Sequence, residues 1–548
     1  MDVYAAAALD ATDLDTAQRN LDGLYDHYLL AQPSPERYRF HDLIREHARA
    51  LVATDPAAEQ HAAITRLLDY YLHVARTADQ YLARRGAVGV PVAITVPPTH
   101  APELQTREDA MAWMDAESPN LHAAADYAAN HALHAHAIAI PAAMSGYLHD
   151  TNRWRQGVRL QLIALAAADD TGDQLAAADA LTELGRFRHV LGEHAAAFRN
   201  LTKAVAIYRK LGSQPGEASA LTRLGTLQNA TGDFGAATRS FRAALKLFRD
   251  LKDKRGEASA RYLLGVIQYQ KGKYSAATAT LEAALRLFRG QSDRLGQADA
   301  ISYLAAIERE TGRYLSAAAK QTNALAIYRA LGDRHEEAGA LLFLGAMQYP
   351  VGDYEMAMSN LRLALDIFRD LREPFGEAST LNEMSVIQRE QGNLAAAATS
   401  VRRSLKLYRD LESLTGEAEA IRNLGALQIL TGDYQDAAAS LDRALTLDRQ
   451  LDNPNGQAGT LNNLGDLALA SRERDARLHY QKALEIATGM SALFEEARAR
   501  EGIGNCLLKA GSAGEGIAWL NRALKIYQRI GSPRAARVAA HLARERES

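Results

Sequence analysis

The feature that most constrains this chain is that it repeats itself every 40 residues. The segment from Gly216 reads GEASALTRLGTLQNATGDFGAATRSFRAALKLFRDLKDKR, and that from Gly256 reads GEASARYLLGVIQYQKGKYSAATATLEAALRLFRGQSDRL. From Gly416 it reads GEAEAIRNLGALQILTGDYQDAAASLDRALTLDRQLDNPN. Gly232, Gly272, Gly312, Gly352, Gly392 and Gly432 keep the spacing without a slip. An aromatic residue follows two later at Phe234, Tyr274, Tyr314, Tyr354 and Tyr434, with Leu394 the exception. Trp154 carries the register backwards; forwards it loses one residue near Ser471 and runs to about Ile530. Such self-similarity overrides a domain count taken from length, because each unit buries its apolar face against its neighbours. About ten units are expected, the first and last degenerate.

Each unit reads as a helical hairpin. Its first helix sets Leu221, Leu224, Gly225 and Gln228 on one face, the spacing of an amphipathic helix. A Thr-Gly-Asp turn follows, where glycine can take the left-handed conformation that ends a helix. The second helix sets Phe234, Ala237, Phe241, Ala244, Leu245 and Phe248 on an apolar stripe. Pro215, Pro374, Pro454 and Pro533 fall in the joints, where no helix needs their missing N–H. Nine of the 14 prolines lie at or before Pro141, so an irregular front precedes a long helical body.

These residues resemble the tetratricopeptide repeat: the small residue at Gly225, the Gly232–Phe234 turn, and Ala237 and Ala244. The unit departs from the common ~34-residue length by being longer, in the second helix and the joint. The resemblance covers residues 136–534 and implies an all-α fold, a right-handed superhelical solenoid.

At the front, residues 14–30 have helical spacing, the stretch through Tyr38-Arg39-Phe40 reads as a small hairpin, and 41–52 are helical again. Helix, hairpin and helix together suggest a winged-helix-like segment. DNA binding by it is opposed by charge, since five Asp and a single Arg19 lie between Asp10 and Leu30. RYRFHDLIREHARAL (37–51), DVYAAAAL (2–9) and AMAWMDAESPNLHAAADYA (110–128) resemble bacterial NB-ARC–TPR regulators, the AfsR/SARP-like members of the STAND NTPase class. There a P-loop domain and a winged helix precede a repeat sensor. Phe40-His41-Asp42 matches that class's Met-His-Asp motif, so the resemblance implies His41 and Asp42 as nucleotide contacts, provided an NB-ARC domain is supplied. This chain has no G-x-x-x-x-G-K-[ST], and the nucleotide-binding half is expected to have been cut away or to be encoded elsewhere. The expected organisation is a winged-helix-like end over 1–55, a helical connector over 56–135 with a proline-rich linker at 84–104, the solenoid over 136–534 and a capping helix over 535–548.

Little in the chain suggests catalysis. There is no H-E-x-x-H or G-x-S-x-G, and Cys506 reads as a packing residue in GIGNCLL. His131 and His134 could share a helix face, but no cysteine or carboxylate pair completes a zinc set. No cofactor and no metal is expected. A single cysteine excludes an internal disulfide. Met1 to Thr12 does not read as a signal peptide, no apolar run reaches a membrane-spanning length, and the expected location is the cytoplasm. With Lys+Arg at 63 against Asp+Glu at 66, direct contact with nucleic acid is not expected.

Two columns of charge run through the repeats. Arg209, Arg249, Arg289, Arg329, Arg369, Arg409 and Arg449 are matched eight residues on by Glu217, Glu257, Glu337, Glu377 and Glu417, with Gln297 and Gln457 completing the set. They read as a ladder of structural ion pairs rather than a polyanion site. Function is expected where the units disagree. Positions 222, 223, 226, 229 and 230 and their equivalents form the variable face of the first helix, which in tetratricopeptide folds lines the concave groove. It carries Tyr262, Tyr269, Tyr303, Arg309, Phe343, Tyr349, Arg389 and Arg422, the residue types that dominate binding hot spots. An extended peptide or helix is expected to lie there, apolar side chains on the rings and an acidic group on the arginines. Asn423 and Asn463 resemble the asparagines of a carboxylate clamp whose lysines are missing. The expected function is a non-enzymatic protein- or peptide-binding module, the sensor part of an NB-ARC–TPR regulator. A stand-alone adaptor and a winged-helix DNA-binding regulator are the competing readings.

Overall fold

The 40-residue period resolves into one of 20. In a computed structural model describing residues 1–82, 98–473 and 475–547, a new helix begins every 20 residues from His134 to Pro454. Among the described residues the chain forms 26 helices and one two-stranded hairpin, as the all-α expectation required. It divides into two compact units, Met1–Gly256 and Glu257–Ser548.

The turn residues explain the regularity. After the helix Gln214–Ala230, Gly232 adopts φ +82°, and the Asp233 side chain accepts the N–H of Ala236 at 2.8 Å to cap the helix Phe234–Asp250. The joints between hairpins take the same left-handed conformation without glycine at Lys252, Ser292, Arg372, Glu412 and Asp452. Pro374 and Pro454 stand first in their helices and Pro215 second, where no intrahelical N–H is lost.

Hairpin packing follows the predicted stripes. Ala218, Leu221, Leu224 and Leu227 of one helix, and Ala237, Phe241, Ala244 and Phe248 of the next, are all buried. A Cβ at Gly225 would stand 2.7 Å from the Phe241 ring, so this close approach needs a residue without a side chain. Gln228 has a polar task on the same face: its Oε1 accepts the Ser240 hydroxyl at 2.7 Å. The pairing recurs at Gln388–Ser400 and Gln428–Ser440, both at 2.9 Å, satisfying a buried polar group where the two helices meet.

In the first unit the front end consists of α1 (Val3–Asp10), α2 (Leu14–Asp26), β1 (Leu30–Ser34), β2 (Arg37–Phe40) and α3 (Asp42–Val52). β1 and β2 are antiparallel, with Leu30 opposite Phe40, and Leu21, Leu30 and Tyr38 form a small core. Arg37 pairs with the fully buried Glu117 of α5 (Arg107–Asn130), which ties the hairpin to the helices that follow. The helix α4 (Ala57–Leu82) and α5 share one core with the helices from His134 and Trp154, through Leu72, Met114, Leu121, Ile140, Met144 and Leu160. Asp69 and His136 meet inside it at 2.9 Å. Of the linker expected at 84–104, residues 84–97 lie outside the described residues, and 98–104 carry neither helix nor strand.

His131 and His134 of HALHAH do not share a helix. His131 caps the end of α5 and stacks on Tyr127 at 3.8 Å, whereas His134 begins the next helix. Ala132, at φ +54°, makes the turn between them. In the second unit the one-residue slip falls between the helices Pro454–Ala470 and Leu493–Lys509; the intervening helix, Ala476–Met490, has 15 residues. No described helix is long and apolar enough to cross a membrane.

Candidate functional site

Five of the eight expected groove residues form one partly exposed strip on the inner face of consecutive first helices. Tyr262 and Tyr269 come from Lys254–Gln270, Tyr303 and Arg309 from Arg294–Glu310, and Phe343 from Arg334–Gln348. They lie on the same face of successive first helices, and the pairs that meet are 41 or 34 residues apart, at staggered repeat positions. Tyr303 meets Tyr262 edge-on at 5.6 Å and Tyr269 edge-on at 5.9 Å, arrangements the ring quadrupole favours. The Arg309 guanidinium lies over the Phe343 ring at 4.4 Å. Burial pushes the Tyr303 hydroxyl above its ordinary range, so the strip presents neutral phenols.

The arginines do not stand ready for an acidic ligand, and this expectation is corrected. Arg309 is paired with Glu310 at 2.7 Å, Arg389 with Glu390 at 3.5 Å, and Arg422 with the fully buried Asp448 at 3.5 Å. Arg309 and Arg422 each face a carboxylate on their own or the following helix, whereas Arg389 shares Glu390 with Arg534. The two asparagines also have neighbours along the groove: Asn423 donates to Asn382 Oδ1 at 3.0 Å, and Asn463 donates to the Arg422 carbonyl at 3.5 Å. The ladder of joints forms as expected at Arg209–Glu217 (2.6 Å), Arg329–Glu337 (2.8 Å), Arg369–Glu377 (3.3 Å) and Arg409–Glu417 (3.1 Å).

Tyr349 and Arg389 belong to a different cluster, where the carboxy-terminal helices return to the groove. Phe494 meets the Tyr349 ring at 6.3 Å, while the Tyr349 hydroxyl donates to Glu390 at 3.4 Å. Arg534 reaches the same Glu390 at 3.5 Å and lies over Phe494 at 5.6 Å. Beneath them Tyr314, Leu520, Tyr527, Ile530, Val538 and Leu542 form one core. Turn glycines admit this contact: a Cβ at Gly312 would meet Ile530 and Leu493 within 3 Å, and one at Gly352 would meet Pro533 at 2.9 Å. This end of the groove is therefore occupied by the chain itself, and Phe494 covers Tyr349 in part.

Between the aromatic strip and the occupied end lies a cavity of about 130 Å³ lined by Arg309, Leu342, Phe343, Asn382, Glu383, Tyr408 and Glu419, among others. Glu383, Glu419 and Asn382 were not singled out from the sequence. Glu383 and Asn382 do sit at equivalents of 223 and 222, on the face recognised as variable, and the replacement of an aromatic residue by Glu383 was the available signal.

At the front, His41 precedes the first residue of α3, Asp42, which pairs with Arg45 at 3.2 Å; both are exposed. Burial pushes the Cys506 thiol up, away from the reactive thiolate.

Two sequence profiles of the tetratricopeptide repeat match this chain, one over residues 176–250, 216–290, 336–410 and 416–489, the other over 462–531. The Regulatory protein AfsR of Streptomyces griseus is 39% identical over 130 residues, 23% of this chain and 13% of that protein. Its namesake in Streptomyces coelicolor is 34% identical over 196 residues, 34% of this chain and 18% of that protein. The chain thus spans less than a fifth of the length of these curated relatives. Among solved structures, a Rap protein complexed with Competence and Sporulation Factor superposes with a TM-score of 0.48 at 15% identity, over 65% of this chain and 98% of that one. A Signal Transduction ATPase with Numerous Domains protein with a tetratricopeptide repeat sensor, from Pyrococcus horikoshii, does so at 0.42 and 14% identity, over 75% and 60%.

Proposed function

Because the chain belongs to the tetratricopeptide-repeat family, we propose that it is a non-catalytic protein-binding module whose ligand is a peptide segment of a partner, held along the inner wall of the second unit. The observation that carries this reading is the strip of Tyr262, Tyr269, Tyr303 and Phe343, four rings on successive repeats left partly exposed. Rings in that arrangement offer large, rigid contact area at low entropic cost. Within this reading the module is the sensor of an NB-ARC–TPR type regulator, acting in the cytoplasm. The similarity to two regulatory proteins supports that context. The exposed His41 and Asp42 are then available to a nucleotide-binding domain supplied in cis or in trans, and the chain itself needs no cofactor.

A random dodecapeptide library displayed on phage and panned against the full chain tests the groove. Selected peptides are expected to lose affinity about tenfold or more on Tyr269→Ala or Phe343→Ala, the size of a hot-spot truncation. Circular dichroism checks that helicity is kept. Selected peptides that bind both variants as tightly as the wild type would remove the groove assignment.

A further inference from the structure

The charges around the groove cavity do not balance, and the imbalance has a sign. Arg309 and Arg422 each have a carboxylate partner, Glu310 and Asp448. Glu383, from the helix Pro374–Glu390, and Glu419, from Leu414–Thr431, both line the cavity, and neither has an ion pair or hydrogen bond among the described residues. With all four carboxyl groups ionised, as at pH 8, they exceed the two guanidinium groups by two negative charges. A second observation points the same way, to something missing from the void. Asn382 lines the cavity and is 1% exposed; its Oδ1 is taken by Asn423, but its amide N–H groups have no acceptor among the described residues. That nitrogen is not sealed in the interior: it keeps access to solvent beside the cavity, where a ligand carbonyl can accept from it. Phe343 and Leu342 wall one side with apolar surface, which suits the stem of a long side chain.

Resting on the peptide-groove reading, we propose that this cavity takes the cationic head of a basic side chain from the bound segment, an arginine guanidinium or a lysine ammonium, between Glu383 and Glu419. A backbone carbonyl of that segment would accept from the Asn382 amide. The cavity has room for a side-chain head. The ligand charge is therefore opposite to the one the groove arginines suggest at first sight. In support, burial, and next the charge of Glu419, push the Glu383 carboxyl up to about 7; an arriving cation would reverse that effect and favour the carboxylate.

The test uses the full chain and four fluorescein-labelled peptide pools of random apolar sequence, each with one fixed central residue: Arg, Lys, Gln or Glu. Fluorescence anisotropy at pH 8 and low salt reads the affinities. The Arg or Lys pool is expected to bind about tenfold or more tightly than the Glu pool, and comparing the first two separates guanidinium from ammonium recognition. The double variant Glu383→Gln/Glu419→Gln, near-isosteric and checked for helicity, should abolish that preference. A Glu pool that binds as well as the basic pools, or a basic preference that survives in the double variant, overturns the proposal and leaves the groove reading standing. Failure of every pool to bind overturns both.

Discussion

Glu383 makes no ion pair or hydrogen bond among the described residues, and the consequence for stability of replacing it by glutamine can be given a sign and a size. The Glu383 carboxyl is raised from 4.5 to about 7, first by burial and then by Glu419, with Arg309 and Arg422 opposing. Between those two pH values the folded chain binds a proton that the unfolded chain has released. The native state therefore loses stability relative to the unfolded chain as pH rises through that window, and above it the ionised carboxylate stays unpaired. The shift corresponds to about 3 kcal/mol as a ceiling; because the side chain is partly exposed to the cavity, solvent screening leaves about 1–2 kcal/mol. For a unit of this size that is a difference of about 2–6 °C in Tm. Thermal unfolding of wild type and Glu383→Gln, followed by circular dichroism at pH 5 and pH 8, reads it directly. The two melting temperatures should lie closer together at pH 5, where the folded Glu383 is still protonated and only part of the linkage cost has accrued. At pH 8 the variant should melt higher. A variant that melts lower at pH 8 would show that Glu383 has a favourable partner in the fold and would refute the charge inventory of the cavity.

Three further outcomes follow from the packing. Gly216→Ala puts a Cβ 2.2 Å from the Tyr208 ring, and chemical denaturation should register a loss of about 1–3 kcal/mol from overpacking. A double-mutant cycle on Arg329 and Glu337, 2.8 Å apart with the arginine half exposed, should give a coupling of about 0–1 kcal/mol that disappears in molar salt. Phe494→Ala removes the ring that meets Tyr349, Tyr527 and Arg534. Hydrogen exchange should then quicken in the carboxy-terminal helices and around Tyr349, with the aromatic strip at Tyr262 and Tyr303 unaffected.

What could be read from the sequence divides along a physical line. Contacts between residues close in the repeat register were legible: the turn at Gly232, the Phe241 stripe, the Arg–Glu ladder and the placing of Tyr262 and Tyr303 on the variable face all follow from periodicity and local stereochemistry. The role of the turn glycines was legible only in part, since Lys252 and Arg372 make the same turn without one. Contacts that depend on where the chain returns were not legible. Arg534 reaches Glu390 across 144 positions of sequence, and nothing in either repeat announces that Phe494 covers Tyr349. The charge of the groove was misjudged for a different reason. Counting arginines on the variable face left out Glu310, adjacent to Arg309, and Asp448, which serves Arg422 from the next helix. The unpaired Glu383 lay on the face already recognised as variable, but its lack of a partner is a property of four helices together. The turn that separates His131 from His134 rests on a left-handed alanine, which no local signal favours.

The central claim is that the inner wall of the second unit, and not its outer surface, takes the partner. The measurement that tests it most directly is the affinity of one library-selected peptide for three proteins: wild type, Phe343→Ala in the groove, and Arg362→Ala at an exposed position on the second helix of a hairpin. Isothermal titration should show a loss of about tenfold or more for Phe343→Ala and an unchanged affinity for Arg362→Ala. An affinity that falls with Arg362 and is kept without Phe343 would contradict the account.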